Sequence, residues 1–223
     1  MKNILLKDEE NKPLKIAIFG GTFDPIHLGH LKVAKAAVQR FKLDQILFTP
    51  SGCPPHKIRS PITPFNHRYS MVSLACTNNR RFIPSLLEAP RPGGKSCYSV
   101  DTVGHVRRNL RSNDNLYFLI GIDAFLDCRT WRNWQKLFKL VRFIVVSRPG
   151  FGAIPSKETQ GIELAGKGTT LHYLDGISER VSARTIRKAA QGSRSITKWV
   201  PGAVAEYIRK QQLYSPKGDL FPQ

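Results

Sequence analysis

Acidic residues are scarce in this 223-residue chain: 16 Asp and Glu stand against 35 Lys and Arg, a formal net charge of +19. A surface so short of negative charge attracts polyanions such as nucleoside triphosphates, RNA or acidic membrane. It also offers no carboxylate cluster of the kind that cages a resident metal ion. The cations form no dense block. Arg80-Arg81, Arg107-Arg108, Arg111, Arg129, Arg132, Lys136, Lys139, Arg142 and those after Arg180 are spread along the chain, without zinc-finger or RNA-recognition spacing. Most of them read as a solvated surface and a part as phosphate contacts, so any nucleic-acid binding is expected to be weak and non-specific. Cysteine is sparse too: Cys53, Cys76, Cys97 and Cys128 form no CxxC pair, which argues against a zinc site and fits free thiols in a reducing cytoplasm. No apolar run is long enough to span a bilayer. The leader has only Ile4-Leu5-Leu6 before Lys7-Asp8-Glu9-Glu10, which is no secretory h-region. An obvious nucleophile–base pair, an internal repeat and a second domain are missing as well.

What is present suits one globular α/β domain, with 41% hydrophobic and 23% charged residues. Its organising stretch is Lys15 to His30, KIAIFGGTFDPIHLGH. The apolar opening reads as a buried parallel strand. Gly20 and Gly21 follow, where a tight turn or a close approach to the backbone is expected. Asp24-Pro25 marks a turn, because the residue before proline is pushed out of the helical region. His27 and His30, three apart, then head a helix from Leu28 to about Phe41, so both imidazoles can share one face at a phosphate-attracting helix N-terminus.

Further strands are expected at Gln45–Thr49, Phe82–Leu87, Leu116–Gly121, Arg142–Ser147 and Thr169–Leu174. Helical spacing marks Phe65–Asn78, a helix opened by Tyr98 and Ser99, one ending at Leu140, one starting near Ser182, and a terminal one from Val200-Pro201 to Tyr214. The alternation predicts a doubly wound, mostly parallel sheet in a single domain over 14–214, between a polar extension (1–13) and a tail (215–223). Pro50 to Pro64 forms a long loop holding Pro54-Pro55-His56-Lys57, and 151–168 is a poorly patterned loop. Asp123 lies just past a strand's C-terminal end, where open α/β sheets bind ligands, although a helix N-cap suits it equally. Thr130-Trp131-Arg132 reads as a helix opening, and Trp131 as a packing residue beside Trp134. Ser182 is a good N-cap, and Arg184 and Arg187 share a helix face.

Residue for residue, Gly20 to His30 resembles the GGTFDPxHxGH block of the nucleotidyltransferases that share HxGH with class I aminoacyl-tRNA synthetases. The PPHK segment, Thr130-Trp131 and the Val181–Arg187 segment narrow the resemblance to bacterial nicotinate-nucleotide adenylyltransferases, over about Lys15 to Tyr214. Cys97 and Ser99 stand where that family has Ser and Thr, and Arg184 where it commonly has Thr. The resemblance implies a Rossmann-like nucleotidyltransferase fold, and transfer of AMP from ATP to nicotinate mononucleotide with release of pyrophosphate. By the same resemblance His27, His30, Lys57 and Arg187 are catalytic. Gly20, Gly21, Thr22, Phe23, Gly121, Asp123 and Ser182 join His27, His30 and Arg187 around ATP. Asp24, His56, Lys57, Tyr98, Ser99, Trp131 and Arg132 meet nicotinate mononucleotide, and Mg²⁺ arrives with ATP rather than on protein ligands. Rival readings are a sister transferase acting on nicotinamide mononucleotide, phosphopantetheine or a cytidylyl acceptor, a non-catalytic nucleic-acid module, and a tRNA-aminoacylating fragment, against which the chain lacks a KMSKS-like segment.

Overall fold

A computed structural model describes residues 12–52, 62–91, 93, 97–147, 170–176 and 181–215. Its centre is a six-stranded sheet, and every strand pair in it is parallel. The strands are β1 (Lys15–Gly21), β2 (Gln45–Pro50), β3 (Phe82–Pro84), β4 (Asn115–Gly121), β5 (Arg142–Val146) and β6 (Leu171–Leu174), in the order β3-β2-β1-β4-β5-β6. The helices are α1 (Leu28–Phe41), α2 (Phe65–Cys76), α3 (Ser99–Arg108), α4 (Ile122–Leu126), α5 (Trp134–Leu140), α6 (Ala183–Gln191) and α7 (Gly202–Lys210), with a 3₁₀ turn at Asp127–Thr130.

The near-continuous apolar strands follow from burial on both faces. Successive side chains alternate across the sheet. Ala17, Phe19, Ile46, Phe48 and Leu119 pack with Ala34 and Ala37 of α1, Met71 of α2, Ile186 of α6 and Val204 of α7. On the other face Ile16, Ile18, Leu47, Phe118 and Ile120 pack with Val103 of α3, Phe125 of α4 and Phe138 of α5. Chain order reverses at β1, which lies between β2 and β4. Ligands of such sheets bind in the crevice beyond the strand ends at that reversal. The ends of β1 and β4 carry Gly20-Gly21 and Gly121, so the topology brings two of the expected site segments to one edge.

Five elements are shorter than expected; one is β6, which begins at Leu171 and not at Thr169. β3 stops at Pro84; the Ser85 N–H still donates to the Phe48 carbonyl of β2 (2.8 Å), and the chain then leaves the ladder in a turn held by Leu87 N–H on Ser85 Oγ (3.3 Å) and Ala89 N–H on the Leu86 carbonyl (3.0 Å). α2 ends at Cys76 instead of Asn78, and β5 at Val146 instead of Ser147. The terminal helix starts after Pro201, whose fixed φ suits a helix entry, and ends at Lys210 because Gln212 and Tyr214 take left-handed conformations (φ 51° and 63°). The expected extension up to residue 11, the 151–168 loop and the tail beyond 215 lie outside the described residues.

Candidate active site

The motif turn is built by packing. β1 runs straight through both glycines, with Gly20 opposite Thr49 and Gly21 opposite Pro50. The expected tight turn at the glycines is therefore not there. The close approach is: a Cβ on Gly21 would meet the Phe23 ring at 3.0–3.3 Å. Phe23 bends the chain back with φ 49°, costly for a residue with a Cβ. Its buried ring packs against Phe19 (5.5 Å between centroids), Phe48 (5.9 Å) and His30 (5.0 Å). Burial of a whole aromatic side chain, together with ring–ring contacts worth about 0.5–1.5 kcal/mol each, offsets that strain.

His27 is the N-cap of α1 and His30 lies in its first turn. The two imidazoles stack, with centroids 3.7 Å apart and planes 25° from parallel. The His27 N–H donates to His30 Nδ1 at 3.2 Å. That bond requires an unprotonated Nδ1, so neutral His30 carries its proton on Nε2. Burial holds the His30 pKa well below the usual histidine range, and the neighbouring His27 adds to the effect. The expected supply of backbone donors at this helix start is smaller than a bare N-terminus would give, because Leu28 N–H already donates to the Trp199 carbonyl (2.8 Å).

Asp24 lies at the centre of a network. It is 5% exposed. Its Oδ1 accepts from Tyr214 Oη (2.7 Å), and its Oδ2 from Thr63 N–H (3.3 Å). Its backbone carbonyl accepts from Arg187 Nη1 at 2.6 Å. The structure thus carries Arg187, 163 positions away, to the motif turn. Ser182 caps α6 as expected, its Oγ accepting from Thr185 N–H at 3.1 Å, while Arg184 is exposed. Tyr214 is pushed above the usual tyrosine range, by burial first and then by the Asp24 carboxylate.

A second group gathers at the start of α3. Tyr98 is the N-cap and Ser99 the first helical residue, as expected. The Arg132 guanidinium lies 4.6 Å from the Tyr98 ring centroid, a cation–π contact joining two of the expected acceptor residues. Trp131 is half-buried with its ring edge-on to Phe118 (6.2 Å), not against Trp134, whose ring meets Phe138 (5.5 Å). Thr130 closes the 3₁₀ turn and α5 begins only at Trp134, so Thr130-Trp131-Arg132 is not a helix opening; Asn133 at φ 51° separates the two elements. Gly121 is the N-cap of α4, and Asp123 is an exposed residue of its first turn, so Asp123 is not the cap. His56 and Lys57 lie outside the described residues.

Two residues that sequence reasoning missed lie beside these groups. Glu88 Oε1 accepts from Thr102 Oγ1 (3.0 Å), and burial pushes its pKa up to about 7. A Cβ on Gly52 would meet the Glu88 carbonyl at 1.8 Å, so only glycine lets these backbones touch. Arg68, 2% exposed, reaches the Thr22 carbonyl. Neither has a spacing signal, because their partners are remote in sequence. Among the described residues no group of three or more His, Cys, Asp or Glu could hold a metal ion, and no helix is long and apolar enough to cross a membrane.

The chain matches the cytidylyltransferase-like family over residues 18–189. A Solibacter usitatus protein named "Probable nicotinate-nucleotide adenylyltransferase" is 42% identical over 203 residues, covering 91% of this chain and all of that protein. A Pelobacter propionicus protein of the same name is 38% identical over 217 residues, covering 91% and 99% of the two chains. Among solved structures, Plasmodium falciparum nicotinic acid mononucleotide adenylyltransferase complexed with NaAD superposes with a TM-score of 0.72 at 22% identity, over 90% of this chain and 97% of that one. At that identity the likeness speaks for the fold.

Proposed function

The chain belongs to the nicotinate-nucleotide adenylyltransferase family, within the cytidylyltransferase-like proteins, and from that premise we infer that it joins ATP and nicotinate mononucleotide into nicotinate adenine dinucleotide and pyrophosphate. The acceptor phosphate is itself the nucleophile. A phosphate monoester, with a second pKa of about 6, is largely dianionic at neutral pH and needs no protein base. An oxygen of the acceptor phosphate bonds to the α-phosphorus of ATP. The bond from that phosphorus to the bridging oxygen of the β-phosphate breaks, and its electron pair leaves with pyrophosphate. The family's need for a divalent metal is met by Mg²⁺ bound to the ATP phosphates, hence as part of the substrate.

The protein's task is alignment and the stabilisation of charge as it develops. The observation that carries this reading is the stacked histidine pair with a fixed tautomer at the end of β1. His30 is neutral and presents an Nε2–H donor, and the His27 ring is stacked on it. The His27 backbone N–H on Nδ1 keeps the His30 proton on Nε2, and that donor strengthens as negative charge grows on an arriving phosphate. Arg187, Lys57 and His56 complete the phosphate contacts. Gly20, Gly21, Thr22, Phe23, Gly121, Asp123 and Ser182 line the ATP side, and Asp24 holds the turn between the two substrates. On the acceptor side the first N–H groups of α3 and the Ser99 hydroxyl receive the nicotinate carboxylate. Tyr98 and Arg132 border it, and Trp131 lies on the pyridinium ring.

A donor-only pocket disfavours the amide, whose NH₂ would face N–H groups and leave them unpaired at about 1–3 kcal/mol each. With Mg-ATP, nicotinate mononucleotide should yield the dinucleotide and pyrophosphate by mass, and nicotinamide mononucleotide should react with at least about tenfold lower kcat/KM. In the same assay His30→Ala should lower kcat on the order of 10²–10³ while remaining folded. A reaction with the amide alone, or with another phosphate acceptor instead, would replace this reading by a sister transferase. Near-normal turnover in folded His30→Ala would remove that residue from the mechanism.

A further inference from the structure

A cation that loses its water must recover several kcal/mol from its partners. Arg68 of α2 is 2% exposed and meets that requirement with three backbone carbonyls. Its Nε donates to Thr63, Nη1 to Thr22 and Nη2 to Ser51, each at 2.8 Å. The three acceptors belong to different segments. Thr22 follows β1 inside the motif, Ser51 follows β2, and Thr63 precedes α2. The Thr63 N–H in turn donates to Asp24 Oδ2 at 3.3 Å, and the Ser51 N–H to the Gly21 carbonyl at 2.9 Å. Guanidinium, motif turn and the residues on either side of 52–62 are therefore closed into rings of hydrogen bonds.

We propose that Arg68 is a positioning residue for adenylyl transfer: its planar fork fixes the motif turn that carries the histidine pair against the two chain segments that flank the connection between β2 and α2. The inference rests on the proposed reaction for its kinetic consequence only; the clamp itself stands on the three bonds. Such a clamp aligns one substrate with the other. Its loss therefore lowers the rate of the bound complex more than it weakens either binding step. Lysine keeps the charge and much of the stem, yet a rotating point charge cannot reproduce three coplanar directions. A merely structural arginine would behave differently: its replacement would reduce the folded fraction and leave turnover per folded molecule unchanged.

The experiment uses the full chain, with Arg68→Lys and Arg68→Ala, and turnover normalised to folded protein by near-UV circular dichroism. Arg68→Lys is expected to lose about 10- to 100-fold in kcat, with KM for ATP and for nicotinate mononucleotide each changing less than about threefold. Added guanidinium at millimolar concentration should restore part of the kcat of Arg68→Ala saturably and should not restore His30→Ala. Independently of any reaction, amide hydrogen exchange at residues 22–24, 51–52 and 63 should quicken together in Arg68→Lys. Unchanged exchange there, or unchanged kcat per folded molecule, would overturn the proposal. Faster exchange in a chain whose wild type makes no dinucleotide would keep the clamp and reject the reaction.

Discussion

At the scale of single residues the most consequential surprise is Glu88. Its carboxyl is pushed up to about 7 by burial, against an ordinary value of 4.5. Thr102 Oγ1 lies 3.0 Å from Glu88 Oε1 and 3.3 Å from the Tyr98 carbonyl, and its one proton can serve only one of them. As a carboxylate Glu88 accepts from Thr102; once protonated it donates to Thr102 instead, which then donates to the Tyr98 carbonyl. A raised folded pKa means that the group's contribution to stability is complete below about 4.5 and is lost as pH climbs through about 7. Glu88→Gln should therefore gain on the wild type between pH 5 and 8, by a slope no steeper than about 1.4 kcal/mol per pH unit. Urea midpoints measured across that range check this, and parallel curves would defeat it. The histidines and their turn were legible because the whole signal lies within sixteen consecutive residues. Glu88, Arg68 and the engagement of Asp24 were not, because a hydrogen bond between Arg68 and Thr22 spans 46 positions and leaves no periodicity.

Secondary elements follow the same division. β1, β4 and α1 were readable with little error, since long periodic runs dominate their neighbours, whereas of α5 only the end at Leu140 was. The 3₁₀ turn before Trp131 and the shortened α7 were not: an extended Trp131 ends the first, and left-handed Gln212 and Tyr214 follow the second without a glycine to announce it. The turn after α7 matters more than its length suggests. His67 Nδ1 and Tyr207 Oη, 2.9 Å apart, join α2 to α7, and Tyr214 then reaches Asp24. Removing that hydroxyl in Tyr214→Phe leaves a buried carboxylate oxygen without its donor. A loss of about 1–3 kcal/mol in urea unfolding is expected. Because Tyr214 stays protonated far above neutrality, the loss should be the same at pH 6 and pH 9. A variant as stable as the wild type would show that water replaces the hydroxyl.

For the whole molecule, the parallel sheet and its doubly wound character were readable from alternation, whereas strand order came only with the tertiary contacts. The +19 charge follows neither sheet nor site. Cations such as Arg108, Arg129, Lys136, Lys139, Arg142 and Arg184 are exposed on several helices and on a strand. A dispersed field of this kind binds polyanions through counterion release, without reading bases. Two unrelated single-stranded RNA oligomers should bind with similar affinity at 50 mM salt, and both should weaken by at least about 300-fold at 200 mM if six or more phosphates are engaged. Fluorescence anisotropy would read this, and retention of one oligomer alone at high salt would indicate a dedicated surface.

The contact between Asp24 and Tyr214, 190 positions apart, also bears on how the chain comes into being. During synthesis the motif leaves the ribosome complete in its glycines and histidines. The hydroxyl that engages its aspartate is made 190 positions later. Over that interval the nascent chain carries a finished motif that its fold has not yet secured. Any product cut short before residue 214 keeps the signature and loses the fastening.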